Sequence, residues 1–273
     1  MLELTPTTAD KYSRLQALLR DLGRVVVGFS GGVDSTMLLR AAIDTLGTDA
    51  VLAVIGDSES YPSREFAEAK RLAEEMGARF TVVQSEELSD PRYAANPSNR
   101  CYFCKSDLFG RLTAIAQAEG FHVVLDGNNA DDLGDWRPGQ QAARELGVRS
   151  PLMEVGMTKA EVREVSRAFG LSTWDKPSFA CLSSRIPYGT PITKDSLSTI
   201  EQAEDFLRDL GFPQVRVRHH TDLARIEVAA ADIPRLLDPA LRARITARLR
   251  ELGYRYVTVD LLGYRTGSMN EVL

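Results

Sequence analysis

A chain of 273 residues, 44% hydrophobic and 26% charged, has the composition of a soluble globular protein and enough length for one large or two modest domains with real cores. Its 33 Lys and Arg against 38 Asp and Glu leave a net charge of -5, which fits a small anionic substrate better than a long nucleic acid gripped by its phosphates. No apolar run is long enough to span a bilayer, and Met1-Leu2-Glu3 lacks the basic and apolar regions of a signal peptide, so no membrane partner and a cytoplasmic address are expected.

In chain order, residues 8–22 carry Tyr12, Leu15, Leu18, Leu19 and Leu22 on one helical stripe, read as a packing helix. The β-branched run from Arg24 to Val27 then ends in Ser30-Gly31-Gly32-Val33-Asp34-Ser35, after which Met37, Leu38, Ala41 and Ala42 fall at helical spacing. Strand, glycine turn and helix start suit a phosphate. Glycine lets backbone N–H groups approach an anion closely, and the helix N-terminus adds partial positive charge. The turn has neither the Walker spacing and Lys nor a G-x-G-x-x-G pattern. It resembles in full the pyrophosphate loop of the ATP-pyrophosphatases, which cleave ATP between its α and β phosphates and leave an adenylated intermediate. Gly-Gly alone would read as an ordinary turn; both serines, Asp34 and the preceding strand carry the resemblance.

Residues 50–55 read as a buried strand, 62–77 as a helix beginning near Pro62, and 79–83 as another strand. A polar loop over 85–99 leads to Cys101-Tyr102-Phe103-Cys104 and a helix to Gly120. A fourth strand, 122–125, ends in Asp126-Gly127-Asn128-Asn129-Ala130-Asp131-Asp132. Alternating strands and helices predict a doubly wound parallel α/β sheet, with ligands beyond the carboxyl ends of the strands, where Ser30–Ser35, Asp57, Ser58 and residues 127–132 would lie. A short helix over 140–147 is broken by Ser150-Pro151-Leu152, and Thr158-x-x-Glu161 is a capping box read as structural only. The boundary is placed near Thr190, giving domains 1–189 and 190–273. The second, smaller α+β domain is read as a helix with Leu197, Ile200 and Leu207, paired strands at 215–217 and 224–228, a helix over 233–252 and a last strand over 256–262.

Three cysteines without an export signal do not make a disulfide framework, since the count is odd and the cytosol is reducing; they are candidates for metal binding or chemistry. Small buried hydrophobes, or a zinc site completed by His122, His219 or His220, are the other readings.

The phosphate turn, Cys101-x-x-Cys104, Asp126-Gly127-Asn128, Ser150-Pro151-Leu152, the run Ala180-Cys181-Leu182-Ser183-Ser184-Arg185-Ile186-Pro187 and the stretch Val215-Arg216-Val217-Arg218 make nearly the whole chain similar to the LarE family of ATP-dependent sulfur transferases. The resemblance implies that a carboxylate of a pyridinium dicarboxylate mononucleotide is adenylated by ATP with Mg²⁺ and then becomes a thiocarboxylate, a step towards a nickel-pincer nucleotide cofactor. Ser30, Gly31, Gly32 and Ser35 would stabilise phosphate charge, with Asp34 placing the metal or ordering the loop. Arg185, Arg216, Arg218 and Arg265, with Glu204 and Glu227 as polar partners, are the candidates for holding the substrate's phosphate and carboxylates.

Some members of the family use the residue equivalent to Cys181 as a consumed sulfur donor; others hold a [4Fe–4S] cluster on three cysteines. Cys101, Cys104 and Cys181 match the cluster type, with three ligands leaving one iron open, and this reading is favoured over the sacrificial one. A homo-oligomer and a sulfur-donor protein are expected partners. Transfer-RNA thiolation is the nearest enzymatic rival, against which the acidic balance counts. An amidating ATP-pyrophosphatase would need an ammonia-generating domain that is not seen, and a nucleotide sensor would leave Cys181 without a role.

Overall fold

The structure is a computed structural model and describes residues 4–133, 138–177 and 179–265. The elements in chain order are α1 (Pro6–Leu22), β1 (Val25–Gly28), α2 (Val33–Leu46), β2 (Val51–Asp57), α3 (Ser63–Glu75), β3 (Arg79–Gln84), α4 (Pro91–Ala94), α5 (Arg100–Glu119), β4 (Val123–Leu125), α6 (Pro138–Glu145), α7 (Pro151–Glu154) and α8 (Lys159–Ala168). They continue with α9 (Lys194–Asp209), β5 (Val215–His220), β6 (Leu223–Val228), α10 (Ile233–Leu236), α11 (Pro239–Glu251) and β7 (Tyr256–Val259). No helix among the described residues is long and apolar enough to cross a membrane.

The chain packs as two units, Met1–Glu87 with Asn99–Phe179, and Leu88–Ser98 with Ala180–Leu273. The first is the parallel α/β sheet that alternation called for, in the order β3-β2-β1-β4. Successive residues of β1 face opposite sides, so Val25 and Val27 join Met37, Leu38 and Val162 in one core while Val26 joins Phe109 and Leu112 in another. Both faces of the sheet are therefore covered, and β1, β4 and β2 up to Ile55 are apolar, while the edge strand β3 carries Arg79, Thr81 and Gln84. Because β2 and β3 lie to one side of β1 and β4 to the other, the order reverses between β1 and β4. The phosphate turn and residues 126–132 both leave the sheet at that switch point, where such folds bind ligands.

The second unit holds a three-stranded sheet, β5-β6-β7, with β5 and β6 antiparallel and β7 parallel to β6. Val215, Val217, Ile226 and Val228 pack on Leu207 of α9 and Leu249 of α11. Arg216 and Arg218 consequently share the opposite face, with Glu227 directly across from Arg216. The helix expected over 233–252 is two: Asp238 caps α11 at the Leu241 N–H, and Pro239 follows at the first helical position, so the chain restarts there instead of continuing. The packing places Ala180 to Gly189 with the second unit, ten residues before the expected boundary at Thr190, and adds Leu88–Ser98 to it. Asn96 accounts for this grouping. Its side-chain amide donates to the Pro187 and Thr190 carbonyls, both at 2.8 Å, and the Ala94 carbonyl accepts from Ile192 N–H.

Candidate active site

β1 ends at Gly28, and the chain turns through Gly31 at φ 61° before α2 begins at Val33. A Cβ on Gly31 would lie 3.0 Å from the Ala69 Cα, so glycine is required both for the left-handed backbone and for the close approach of α3. The Ser30 and Ser35 hydroxyls lie 3.2 Å apart, and Ser35 Oγ accepts from Ser30 N–H at 3.3 Å. Gly127 leaves β4 with its backbone against the start of α2: a Cβ there would stand 3.0 Å from Ser35 N. The two loops at the switch point are thus packed together by a missing side chain.

Asp34 lies in the first turn of α2 with both oxygens engaged. Asn129 Nδ2 donates to Oδ1 at 3.2 Å, and Lys159 Nζ donates to Oδ2 at 2.5 Å. Lys159 is the first residue of α8, its N–H donating to Asp131. Thr158 and Glu161 form the expected capping box, but Lys159 between them reaches the phosphate turn, which the sequence reading missed. Asp57 and Ser58 stand at the carboxyl end of β2; Asp57 accepts from Gln84 Nε2 at 2.7 Å, and the Ser58 hydroxyl lies 3.2 Å from that of Ser60. Burial pushes the Asp126 carboxyl above its usual range, against the hydrogen bonds it accepts from Ser150 Oγ and Asn128 N–H.

In the second unit, Cys181 precedes the short turn Leu182–Arg185, and its side chain is half-buried. Arg185 fixes this segment. Its Nη1 donates to the carbonyls of Ala180 at 2.6 Å and Cys181 at 2.9 Å, while Nε and Nη2 form a fork onto the Glu204 carboxylate at 2.8 Å each. Glu204 also accepts from Arg208 and from Val217 N–H. Burial works against the Glu204 charge, but Arg185 and then Arg208 outweigh it and hold the carboxyl below its usual range. Arg218 donates to Glu227 at 2.6 Å and to the Ser184 carbonyl at 3.0 Å. Glu227 in turn accepts from Arg225, and Asp260 lies 3.6 Å from both Arg225 and Arg265. Arg216 stacks over the Tyr264 ring at 5.1 Å; burial and the neighbouring Arg185 lower its pKa to about 10. The expected charged residues of this unit therefore fall mainly into two ion-paired groups, Arg185 with Glu204 and Arg208, and Arg218 with Glu227, Arg225, Asp260 and Arg265, while Arg216 stacks on Tyr264.

Cys101 and Cys104 occupy the first turn of α5 in the first unit, three residues apart and thus on one side of the helix. Cys181 belongs to the second unit. None of the three is in a disulfide, and among the described residues no three His, Cys, Asp or Glu side chains are gathered as metal ligands. The soft thiolates suit an iron–sulfur centre by their chemistry.

Residues 15–116 match the NAD synthase family. Over 267 residues, covering 98% of this chain and 96% of the other, the protein is 44% identical to pyridinium-3,5-bisthiocarboxylic acid mononucleotide synthase of Lactiplantibacillus plantarum. It is 44% identical over 263 residues to slr1717 of Synechocystis sp., covering 96% and 98% of the two chains. MJ0830 of Methanocaldococcus jannaschii is 27% identical over 246 residues, 89% of this chain and 91% of that one. With a relative this similar along almost its whole length, the chain belongs to the LarE family, that of the pyridinium-3,5-bisthiocarboxylic acid mononucleotide synthase.

Proposed function

We propose that the protein is an ATP-dependent sulfur transferase acting on pyridinium-3,5-biscarboxylic acid mononucleotide. The observation that carries this is the 44% identity with the Lactiplantibacillus plantarum synthase over nearly all of both chains. The phosphate turn supports the first step. A substrate carboxylate oxygen attacks the α-phosphorus, the bond to the bridging oxygen breaks, and pyrophosphate leaves. The Gly31 and Gly32 amides and the N-terminus of α2 are suited to the growing charge. In the second step a sulfur nucleophile attacks the acyl carbon and AMP departs.

Mg²⁺ belongs to this reading as the usual companion of ATP phosphates. Asp34 is better suited to ordering the loop, since Asn129 and Lys159 already hold both its oxygens. The buried arginines of the second unit supply the cationic surroundings that a phosphate and carboxylates need, and Arg216, with its charge disfavoured by burial, is the one an anion would relieve most. Arg185 is spent on Glu204 and on the Cys181 backbone, which supports a role in holding the cysteine segment.

For the sulfur source we favour a [4Fe–4S] cluster on Cys101, Cys104 and Cys181, supported by these being the chain's only cysteines and by the C-x-x-C pair. In the alternative, Cys181 Sγ attacks the acyl-adenylate, and loss of the Cys181 Cα proton with cleavage of its Cβ–S bond leaves dehydroalanine and the thiocarboxylate. A cytoplasmic address, a homo-oligomer and a sulfur-donor protein complete the proposal; exposed Leu237, Tyr256, Leu261 and Leu262 in the second unit support self-association.

The test is anaerobic incubation with ATP, Mg²⁺ and the biscarboxylic mononucleotide, following pyrophosphate release and the product mass. Exchange of oxygen for sulfur is expected, and ATP turnover without a sulfur-bearing product overturns the reading. Iron and acid-labile sulfide that disappear in Cys101→Ala, Cys104→Ala or Cys181→Ala support the cluster. Their absence after reconstitution, with Cys181 found as dehydroalanine after turnover, selects the sacrificial route.

A further inference from the structure

The carbonyls of the phosphate turn are held by two side chains that no motif marks. Tyr61 Oη donates to the Ser30 carbonyl at 2.8 Å, and Lys176 Nζ donates to the Gly31 carbonyl at 3.2 Å. Each of these carbonyls shares a planar trans peptide unit with the next residue's N–H, and the two groups point in opposite directions. Holding the Ser30 carbonyl therefore turns the Gly31 N–H away from Tyr61, and holding the Gly31 carbonyl turns the Gly32 N–H away from Lys176. With Gly31 at φ 61°, successive amides of such a turn form an anion-binding concavity.

We infer that Tyr61 and Lys176 are positioning residues for the adenylation step, fixing two consecutive peptide planes so that the Gly31 and Gly32 amides are aimed at the pyrophosphate of ATP. This rests on the reading of the turn as the ATP phosphate site. Lys176 is poorly placed to be a phosphate ligand itself. Glu65 lies 2.7 Å and Glu68 3.0 Å from its ammonium, so the lysine is already outnumbered by carboxylates. Those same carboxylates, after burial, push the Tyr61 hydroxyl far above its usual pKa, which keeps it a donor throughout the working range. Tyr61 and Lys176 also converge on one ring: the Phe179 centroid is 5.7 Å from that of Tyr61 and 5.8 Å from Lys176 Nζ. Amides that are aimed before ATP arrives need no reorganisation as charge develops, and this is what makes fixed dipoles effective.

The experiment uses calorimetric titration of the full chain with ATP, inorganic pyrophosphate and adenosine, and needs no sulfur-transfer substrate, so it succeeds or fails independently of that activity. Tyr61→Phe and Lys176→Met are each expected to weaken ATP and pyrophosphate on the order of tenfold, the worth of one hydrogen bond to a charged group, while adenosine binds unchanged. Lys176→Arg, which can still donate to the carbonyl and pair with both glutamates, recovers most of the loss. In glycine-¹⁵N-labelled protein, pyrophosphate is expected to shift the Gly31 and Gly32 amide resonances less in Tyr61→Phe than in the natural protein. Unchanged ATP binding in Tyr61→Phe, whatever Lys176→Met does, overturns the inference, because that pattern would be charge and not aim. A parallel loss of adenosine binding overturns it too.

Discussion

Arg185 and Glu204 form a two-pronged ion pair with side chains only 1% and 0% exposed, and the same guanidinium carries the carbonyls of Ala180 and Cys181. Removing Glu204 leaves the buried Arg185 guanidinium with neutral acceptors as its hydrogen-bond partners, and removing Arg185 leaves the buried Glu204 carboxylate without its fork and dependent on Arg208. Arg185→Met and Glu204→Gln are each expected to destabilise the second unit by about 3–5 kcal/mol in chemical denaturation. Arg185→Lys should recover little, because an ammonium cannot reproduce the fork. Hydrogen exchange at residues 182–184 should rise in Arg185→Met, since the turn after Cys181 loses its anchor.

Asp34 and Lys159 should behave as a coupled pair towards ATP. Lys159→Met leaves the Asp34 carboxylate less compensated beside the phosphate turn, and ATP affinity should fall about tenfold, the effect of roughly 1.4 kcal/mol. In a cycle with Asp34→Asn the double variant should lose less than the two single losses combined, with a coupling of about 1–3 kcal/mol. Strict additivity in the titration would show that the contact has no bearing on the site.

Three glycines give an internal contrast. Gly31→Ala forces a left-handed residue against Ala69 backbone, and Gly127→Ala pushes a methyl group onto Ser35 N; both should lower stability by about 1–3 kcal/mol and abolish ATP binding. Gly110 lies inside α5 with nothing within 4 Å of an added Cβ. Gly110→Ala should stabilise by about 0.5–1 kcal/mol, read as a raised denaturation midpoint.

Acid sensitivity should be marked in the second unit. Burial lowers the pKa of His219 and of His220, and each is also depressed by a positive neighbour: His220 for the first, Arg225 and Arg218 for the second. Between those depressed values and the ordinary histidine pKa of about 6.5, the unfolded chain binds more protons than the folded one, so stability rises with pH in that window and falls as pH drops below about 6.5. Urea midpoints between pH 5 and pH 8 should follow this slope, and the double variant His219→Gln, His220→Gln should flatten it.

The phosphate turn, the alternation of strands and helices and the shared face of Arg216 and Arg218 were legible because each depends on neighbours in sequence: glycine at a turn, period two in a strand, period near four in a helix. The capping box at Thr158 was legible for the same reason, yet Lys159 inside it was not, since its partner Asp34 lies 125 positions away. Tyr61 and Lys176 escaped because what they hold is backbone, and a carbonyl carries no residue type to match. The single helix expected over 233–252 failed where the apolar spacing continued through Asp238-Pro239, a cap and a start that outrank periodicity. Glu204 was named as a polar partner of the arginines by residue type; that it pairs with Arg185 specifically, 19 positions away, is seen only in the fold.

The chain passes between its two units at Glu87, at Ser98 and at Phe179. One consequence concerns synthesis. As the chain leaves the ribosome, Leu88–Ser98 emerges long before Ala180 and the residues that follow, so Asn96 and Tyr93 must wait for Pro187, Thr190 and Ser183. The first unit is thus born carrying a piece of the second, and a fragment begun at Ala180 would lack the Asn96 and Tyr93 contacts. Cutting the polypeptide at any one of the three passages would leave the halves still tethered by the other two.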